Sequence, residues 1–140
     1  MKLFKGTFLI LLFLNNPLLF AQLNVKLSKQ IRITDDDNVS FVEPHLAVDP
    51  TNPDNMAIGT MGAKGNEQGI SLLIYLSDDG GQTWRGSNDF NGENIKGADP
   101  WIMFNKIGDL FVTYLSNGNA WLRRSIDGGK TWIYCRLGST

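Results

Sequence analysis

The chain has little of what most reactive sites are built from. One cysteine, Cys135, stands among 140 residues, so no disulfide forms within the chain, and a single histidine, His45, excludes the Cys/His spacings of zinc sites. Charged residues make up only 19% and nearly cancel, to a formal −1, which excludes an electrostatic nucleic-acid binder and a charged disordered tail. Five prolines and 15 glycines, without a three-residue period, exclude a collagen-like repeat. Nowhere past residue 21 do apolar residues keep a helical period for ten positions between caps, so no packed helix is expected.

What stands first in the chain has the order of a secretory signal. Lys2 and Lys5 precede the apolar run Phe8–Leu14, Asn15-Asn16-Pro17 interrupts it, and Leu18-Leu19-Phe20-Ala21 follows. The broken run is too short for a lone membrane span, and Ala21 offers a small residue for cleavage. An uncleaved anchor is the alternative, which Leu19 favours by being a poor residue three positions before the cut. Cleavage leaves 140 less 21, or 119 residues, and takes the formal charge from −1 to −3 with the loss of two lysines. A secreted or periplasmic protein without a stable membrane anchor is the expectation, with residues 22–40 as an N-terminal linker and residues 41–140 as the folded part. Asp35-Asp36-Asp37-Asn38 in that linker lacks the spaced ligands of a calcium loop, so neither a metal nor a cofactor is expected.

Beyond residue 40 the pattern is one of strands and turns. Ile70–Leu76, Trp101–Phe104, Leu110–Leu115 and Trp132–Cys135 are short runs rich in β-branched and aromatic residues, each bounded by Gly, Asn, Asp or Pro. Shorter candidates are His45–Val48, Met56–Gly59 and Ala120–Arg124. The connection Asp49–Asn55 holds two prolines, neither of which can give a ladder hydrogen bond. Asn117-Gly118 supplies the positive φ of a tight hairpin. The fold class is all-β.

A repeat then organises these strands. Ser77-Asp78-Asp79-Gly80-Gly81-Gln82-Thr83-Trp84 and Ser125-Ile126-Asp127-Gly128-Gly129-Lys130-Thr131-Trp132 agree at six of eight positions, 48 residues apart. Each follows one strand and leads into another. Asp79 and Asp127 suit a role as acceptors for free N–H groups of a tight turn, Gly81 and Gly129 allow positive φ, Ser77, Thr83, Ser125 and Thr131 tie the strand ends, and Trp84 and Trp132 cover the hairpin. These residues are structural, not catalytic.

The two octapeptides resemble the Asp-boxes of the sialidase-like (BNR repeat) β-propellers. That resemblance implies four-stranded antiparallel blades with the box between the third and fourth strands, and residues 41–140 supply two of them. Family propellers usually close with six, on the order of 300 residues. The chain is therefore expected to be an incomplete propeller, either an N-terminal fragment of a longer one or a protein that closes by oligomerising.

The resemblance also implies where a ligand lies: at the innermost strands and the turns between strands two and three, opposite the boxes. Glu43-Pro44-His45 and Asp99-Pro100-Trp101 place a carboxylate, a proline and a ring at equivalent points, and the loop between Gly62 and Gly69 adds Lys64, Asn66 and Glu67. Carboxylates accept sugar hydroxyls and rings face pyranoses, so Glu43, His45, Asp99, Trp101, Lys64, Asn66 and Glu67 are the ligand-face candidates. The structural alternative is that Glu43 and Asp99 cap strand ends or bond a neighbouring blade. Family sialidases carry Arg-Ile-Pro at the first innermost strand, whereas this chain has Val42-Glu43-Pro44; Ile31-Arg32-Ile33 lacks the proline and comes some ten residues earlier. The family's nucleophilic Tyr and its Glu belong to later blades. The function expected is an exported module that binds a glycan or protein ligand without catalysis; the alternative is the N-terminal part of a secreted, exo-sialidase-like glycoside hydrolase.

Overall fold

The computed structural model of the chain describes residues 25–34, 37–64, 69–87, 90 and 95–138, with backbone alone at Lys64. The expected signal segment, residues 1–21, lies outside the described residues. Among the described residues the strands are β1 (Val39–Val48), β2 (Met56–Lys64), β3 (Ser71–Ser77), β4 (Arg85–Gly86), β5 (Ala98–Phe104), β6 (Leu110–Ser116), β7 (Asn119–Ser125) and β8 (Ile133–Leu137). They form two four-stranded antiparallel sheets, β1-β2-β3-β4 and β5-β6-β7-β8, each in chain order. Among the described residues there is no α-helix.

Alternation along the strands decides which faces meet. In β6, Leu110, Val112 and Tyr114 are buried on one face while Phe111, Thr113 and Leu115 take the other. The buried set packs with Ile102 of β5 against Ala57, Leu72, Ile74 and Leu76 of the first sheet, which makes one core between the sheets. Gly59 faces this contact: a Cβ there would touch the second sheet in ordinary van der Waals range, 3.6 Å from both Ile102 and Pro100, which leaves no room for a larger side chain. Phe90, fully buried, closes the outer end of this core with its ring edge-on to Tyr114 and Trp132, centroids 6.2 and 5.0 Å away.

The outer edge of β3 would be left with open backbone groups by a two-residue β4. Its hydrogen bonds continue instead through irregular chain: Ser87 N–H donates to Ile74 O at 2.8 Å, Leu72 N–H to Ile95 O at 2.8 Å, and Gly97 N–H to Ile70 O at 3.2 Å. At the β6–β7 hairpin Ser116 pairs with Asn119, and Asn117 and Gly118 turn with φ of 50° and 72°, the signs a type I′ turn requires.

Several boundaries differ from the sequence expectation. The linker does not reach residue 40, because Val39 and Ser40 are already in β1 and pair with Lys64 and Ala63. The second strand, expected to stop at Gly59, continues to Lys64 for the same reason. Each strand supplies the partner that lets the other extend, a cooperation that composition within either segment does not display. Trp132, expected as the first residue of the last strand, precedes β8, which runs Ile133–Leu137.

Candidate functional site

Strands β1 and β5 lie side by side, and each carries the same irregularity. Register shifts between Val42 and His45 in β1 and between Ala98 and Trp101 in β5 mark two β-bulges at the two Pro-containing triplets. Within them Glu43 and Asp99 adopt φ of 53° and 52°, a left-handed backbone that L-residues rarely take and that a following proline restricts further. Glu43 therefore lies inside β1 and not at its start as expected. The bulges are held from β2: the Thr60 hydroxyl donates to Val42 O at 2.8 Å, and Asp99 N–H donates to the Met61 sulfur at 3.3 Å. Neither Thr60 nor Met61 stood out in the sequence, since a threonine and a methionine in a strand carry no mark of what they support.

The bulges bring two of the candidate side chains together. The rings of His45 and Trp101 stand 4.8 Å apart at their centroids and tilted by 50°. Trp101 remains 59% exposed, and Glu43 and Asp99 are exposed as well. Among the described residues no hydrogen bond or ion pair engages either carboxylate, so the strand-capping alternative finds no bond to rest on there. Asn66 and Glu67 lie outside the described residues, as does the side chain of Lys64, which ends β2. Arg32 donates from Nε to Thr34 O at 2.8 Å and pairs with Asp37 through its guanidinium.

The octapeptide turns join β3 to β4 and β7 to β8 and are nearly superimposable in their bonds. In the second, the Ser125 hydroxyl donates to Asp127 Oδ1 at 2.7 Å and accepts from Gly129 N–H at 2.8 Å. Asp127 also accepts from the N–H groups of Lys130 and Thr131, at 3.0 and 2.9 Å, and from the Thr131 hydroxyl at 2.6 Å. The first turn repeats this with Ser77, Asp79, Gly81 and Thr83, at 2.7 to 2.9 Å. The Thr83 hydroxyl, the Thr83 N–H and the Ser77 hydroxyl hold Asp79 down to about 2, and the Thr131 hydroxyl, with the equivalent partners, holds Asp127 well below the carboxylate range. Trp84 Nε1 closes its own turn on Gly81 O at 2.9 Å, whereas Trp132 Nε1 reaches Ser87 at 3.3 Å.

The second turn also abuts the first sheet. A Cβ on Gly129 would stand 2.5 Å from Leu76 Cδ1, and Arg85 donates to Gly128 O at 3.3 Å. Between the sheets on this side opens a polar cleft of about 380 Å³, lined by Asp49, Ser77, Asp78, Arg85, Ile126 and Lys130 among others. Among the described residues no three His, Cys, Asp or Glu side chains gather into a group able to hold a metal. No family model, curated protein or solved structure matches the chain.

Proposed function

We propose that the chain is an exported, non-catalytic binding module with the blade architecture of a sialidase-type β-propeller, and that it holds a glycan at the edge formed by Glu43, His45, Asp99 and Trp101. One observation carries this: two equivalent bulges pair a ring from each sheet, and each ring follows two residues after an exposed carboxylate that no described group engages. A ring pair 4.8 Å apart presents an apolar face to a pyranose, and two free carboxylates accept its hydroxyls. Their charge disfavours an acidic sugar, because no arginine joins them: Val42 stands where the family's carboxylate-binding arginine would be, and Arg32 is occupied by Asp37 and Thr34. Export follows from the order of Lys2, Lys5, Phe8–Leu14 and Ala21.

Calorimetric titration of the chain with a panel of neutral and acidic oligosaccharides tests the assignment. Binding should favour neutral members, and Trp101→Ala should weaken it by about tenfold or more, the loss expected for an aromatic contact of 1.4 kcal/mol. Equal binding by parent and Trp101→Ala, or preference for a sialylated ligand, refutes it.

A further inference from the structure

The two octapeptide turns differ in what meets their first glycine. In the first, Gly80 N–H donates to Asp54 O at 2.9 Å, and a Cβ on Gly80 would stand 3.4 Å from Asp54 Oδ1. Asp54 belongs to the β1–β2 loop, residues 49–55; the β5–β6 loop, residues 105–109, is shorter, and Gly108 stands in it where Asp54 stands in the first, two places before the next strand. The second turn accordingly has no counterpart of Asp54. Among the described residues nothing accepts from Gly128 N–H, and nothing lies within 4 Å of a Cβ there. Gly108 and Gly128 both line the polar cleft between the sheets.

That cleft collects further donors which the fold leaves unclaimed. Arg85 gives one hydrogen bond, to Gly128 O at 3.3 Å, and the Lys130 ammonium gives none; neither is ion-paired among the described residues. Of the three carboxylates in the lining, two are already engaged. Asp49 accepts from the Thr51 N–H and hydroxyl at 2.8 and 2.7 Å and from the Asn55 amide at 3.3 Å, and Asp127 accepts the four bonds of its own turn. Asp78 is exposed and bonded to no described group. Apolar surface adjoins these charges: Ile107 and Ile126, 67 and 71% exposed, line the same cleft, as do Leu76 and Phe104.

We infer that the cleft binds an α-carboxylate standing beside an apolar side chain, as a free amino acid or the C-terminus of a peptide presents. The carboxylate oxygens accept from Gly128 N–H, from the Lys130 ammonium and from the unused N–H groups of Arg85, as Asp54 O accepts from Gly80 in the first turn. The side chain beside the carboxylate takes Ile107 and Ile126 out of water, and Asp78 receives the ligand's ammonium or amide N–H. Two cations among three carboxylates suit a single negative charge accompanied by a donor, and disfavour a dianion such as a phosphate monoester. The volume of about 380 Å³ falls in the range of small-molecule sites, roughly 300–1,000 Å³. The cleft shares no residue with the proposed glycan site, so the inference is independent of that reading.

Backbone-amide NMR of the chain, titrated with N-acetyl-Gly-Gly-Leu, with its C-terminal amide and with free leucine, tests it. The Gly128 amide should shift with a carboxylate form and not with the C-terminal amide. Asp78→Asn distinguishes the sources: it weakens free leucine, whose ammonium it no longer pairs, and leaves the acetylated peptide unaffected. Arg85→Gln combined with Lys130→Gln should weaken the carboxylate ligand by about tenfold, the sum of two exposed charge contacts. Ile126→Asp should abolish binding while keeping the turn, because the first octapeptide carries Asp78 at the same place. Circular dichroism checks the strands of each variant, and Ile126→Asp alone decides should the double variant unfold. Equal shifts from the acid and amide peptides, a carboxylate response that both the double variant and Ile126→Asp retain, or no response to either carboxylate at millimolar concentration overturns the inference.

Discussion

Asp127→Ala is the most informative single perturbation of the fold, because one carboxylate there accepts four hydrogen bonds from three residues. The Lys130 and Thr131 donors sit in an exposed turn and return to water when the acceptor goes, so each contributes little net. The Ser125 hydroxyl does not: it is buried, and it is also the acceptor that fixes Gly129 N–H beneath the first sheet. Together these losses amount to about 2 kcal/mol, or a fall in melting temperature of about 8 °C for a chain of this size. The pH dependence separates the carboxylate from mere turn propensity. The Thr131 hydroxyl and its neighbours hold its folded pKa below that of a free aspartate, about 3.9, so its contribution is complete above that pH and is lost as acid protonates the folded form. Urea unfolding at a series of pH values should therefore show a parent–variant gap that is constant above about pH 5 and narrows below pH 4. No gap at neutral pH, or a gap unchanged by acid, would refute the assignment of stability to this ionised acceptor.

Gly129→Ala should destabilise far more than Gly128→Ala in the same urea assay. Both have positive φ, worth about 1 kcal/mol, but the new methyl at 129 meets Leu76 at 2.5 Å whereas nothing lies within 4 Å of one at 128. Arg124→Met should cost about 1–2 kcal/mol, because Asp109 is buried and accepts from Arg124 Nε and Nη2 at 3.1 and 2.6 Å; Asp109→Asn in the same background should recover part of it, as measured by a double-mutant cycle. A fluorogenic sialoside should not be hydrolysed by the chain, and turnover that disappeared in Arg32→Ala would make Ile31-Arg32-Ile33 a substrate-carboxylate site after all.

What the sequence displays well is chemistry between neighbours. The octapeptides are readable because Ser, Asp, Gly and Thr satisfy one another within four residues, and the Asn117-Gly118 hairpin is readable because two adjacent residues take positive φ. Longer apolar strands, such as β3 and β6, announce themselves by composition. What it hides is whatever a distant partner decides. Phe90 is a lone aromatic in a stretch of Asn, Gly and Asp, yet it is fully buried because Tyr114, Trp132 and the Arg123 guanidinium, 4.7 Å from its ring, arrive from the other sheet. Likewise the ends of β1 and β2 depend on each other, and Asp109 gives no sign that Arg124, fifteen positions on, will pair with it.

The candidate site falls between these two cases. The triplets Glu43-Pro44-His45 and Asp99-Pro100-Trp101 are visible as a second repeat, but nothing local tells that the carboxylate-bearing residues take positive φ. Asparagine and aspartate reach that conformation at modest cost through local hydrogen bonding; glutamate, with a longer side chain, does so less readily, and glycine does so freely. Glycine is used in both octapeptide turns and at Gly108, and asparagine, which tolerates this conformation, at Asn117. At the bulges the chain instead bears two carboxylates on strained backbone, facing outward and bonded to no described group. Backbone economy does not account for that choice; the proposed role of the carboxylates toward a ligand would, with the adjoining pair of rings offering that ligand an apolar face.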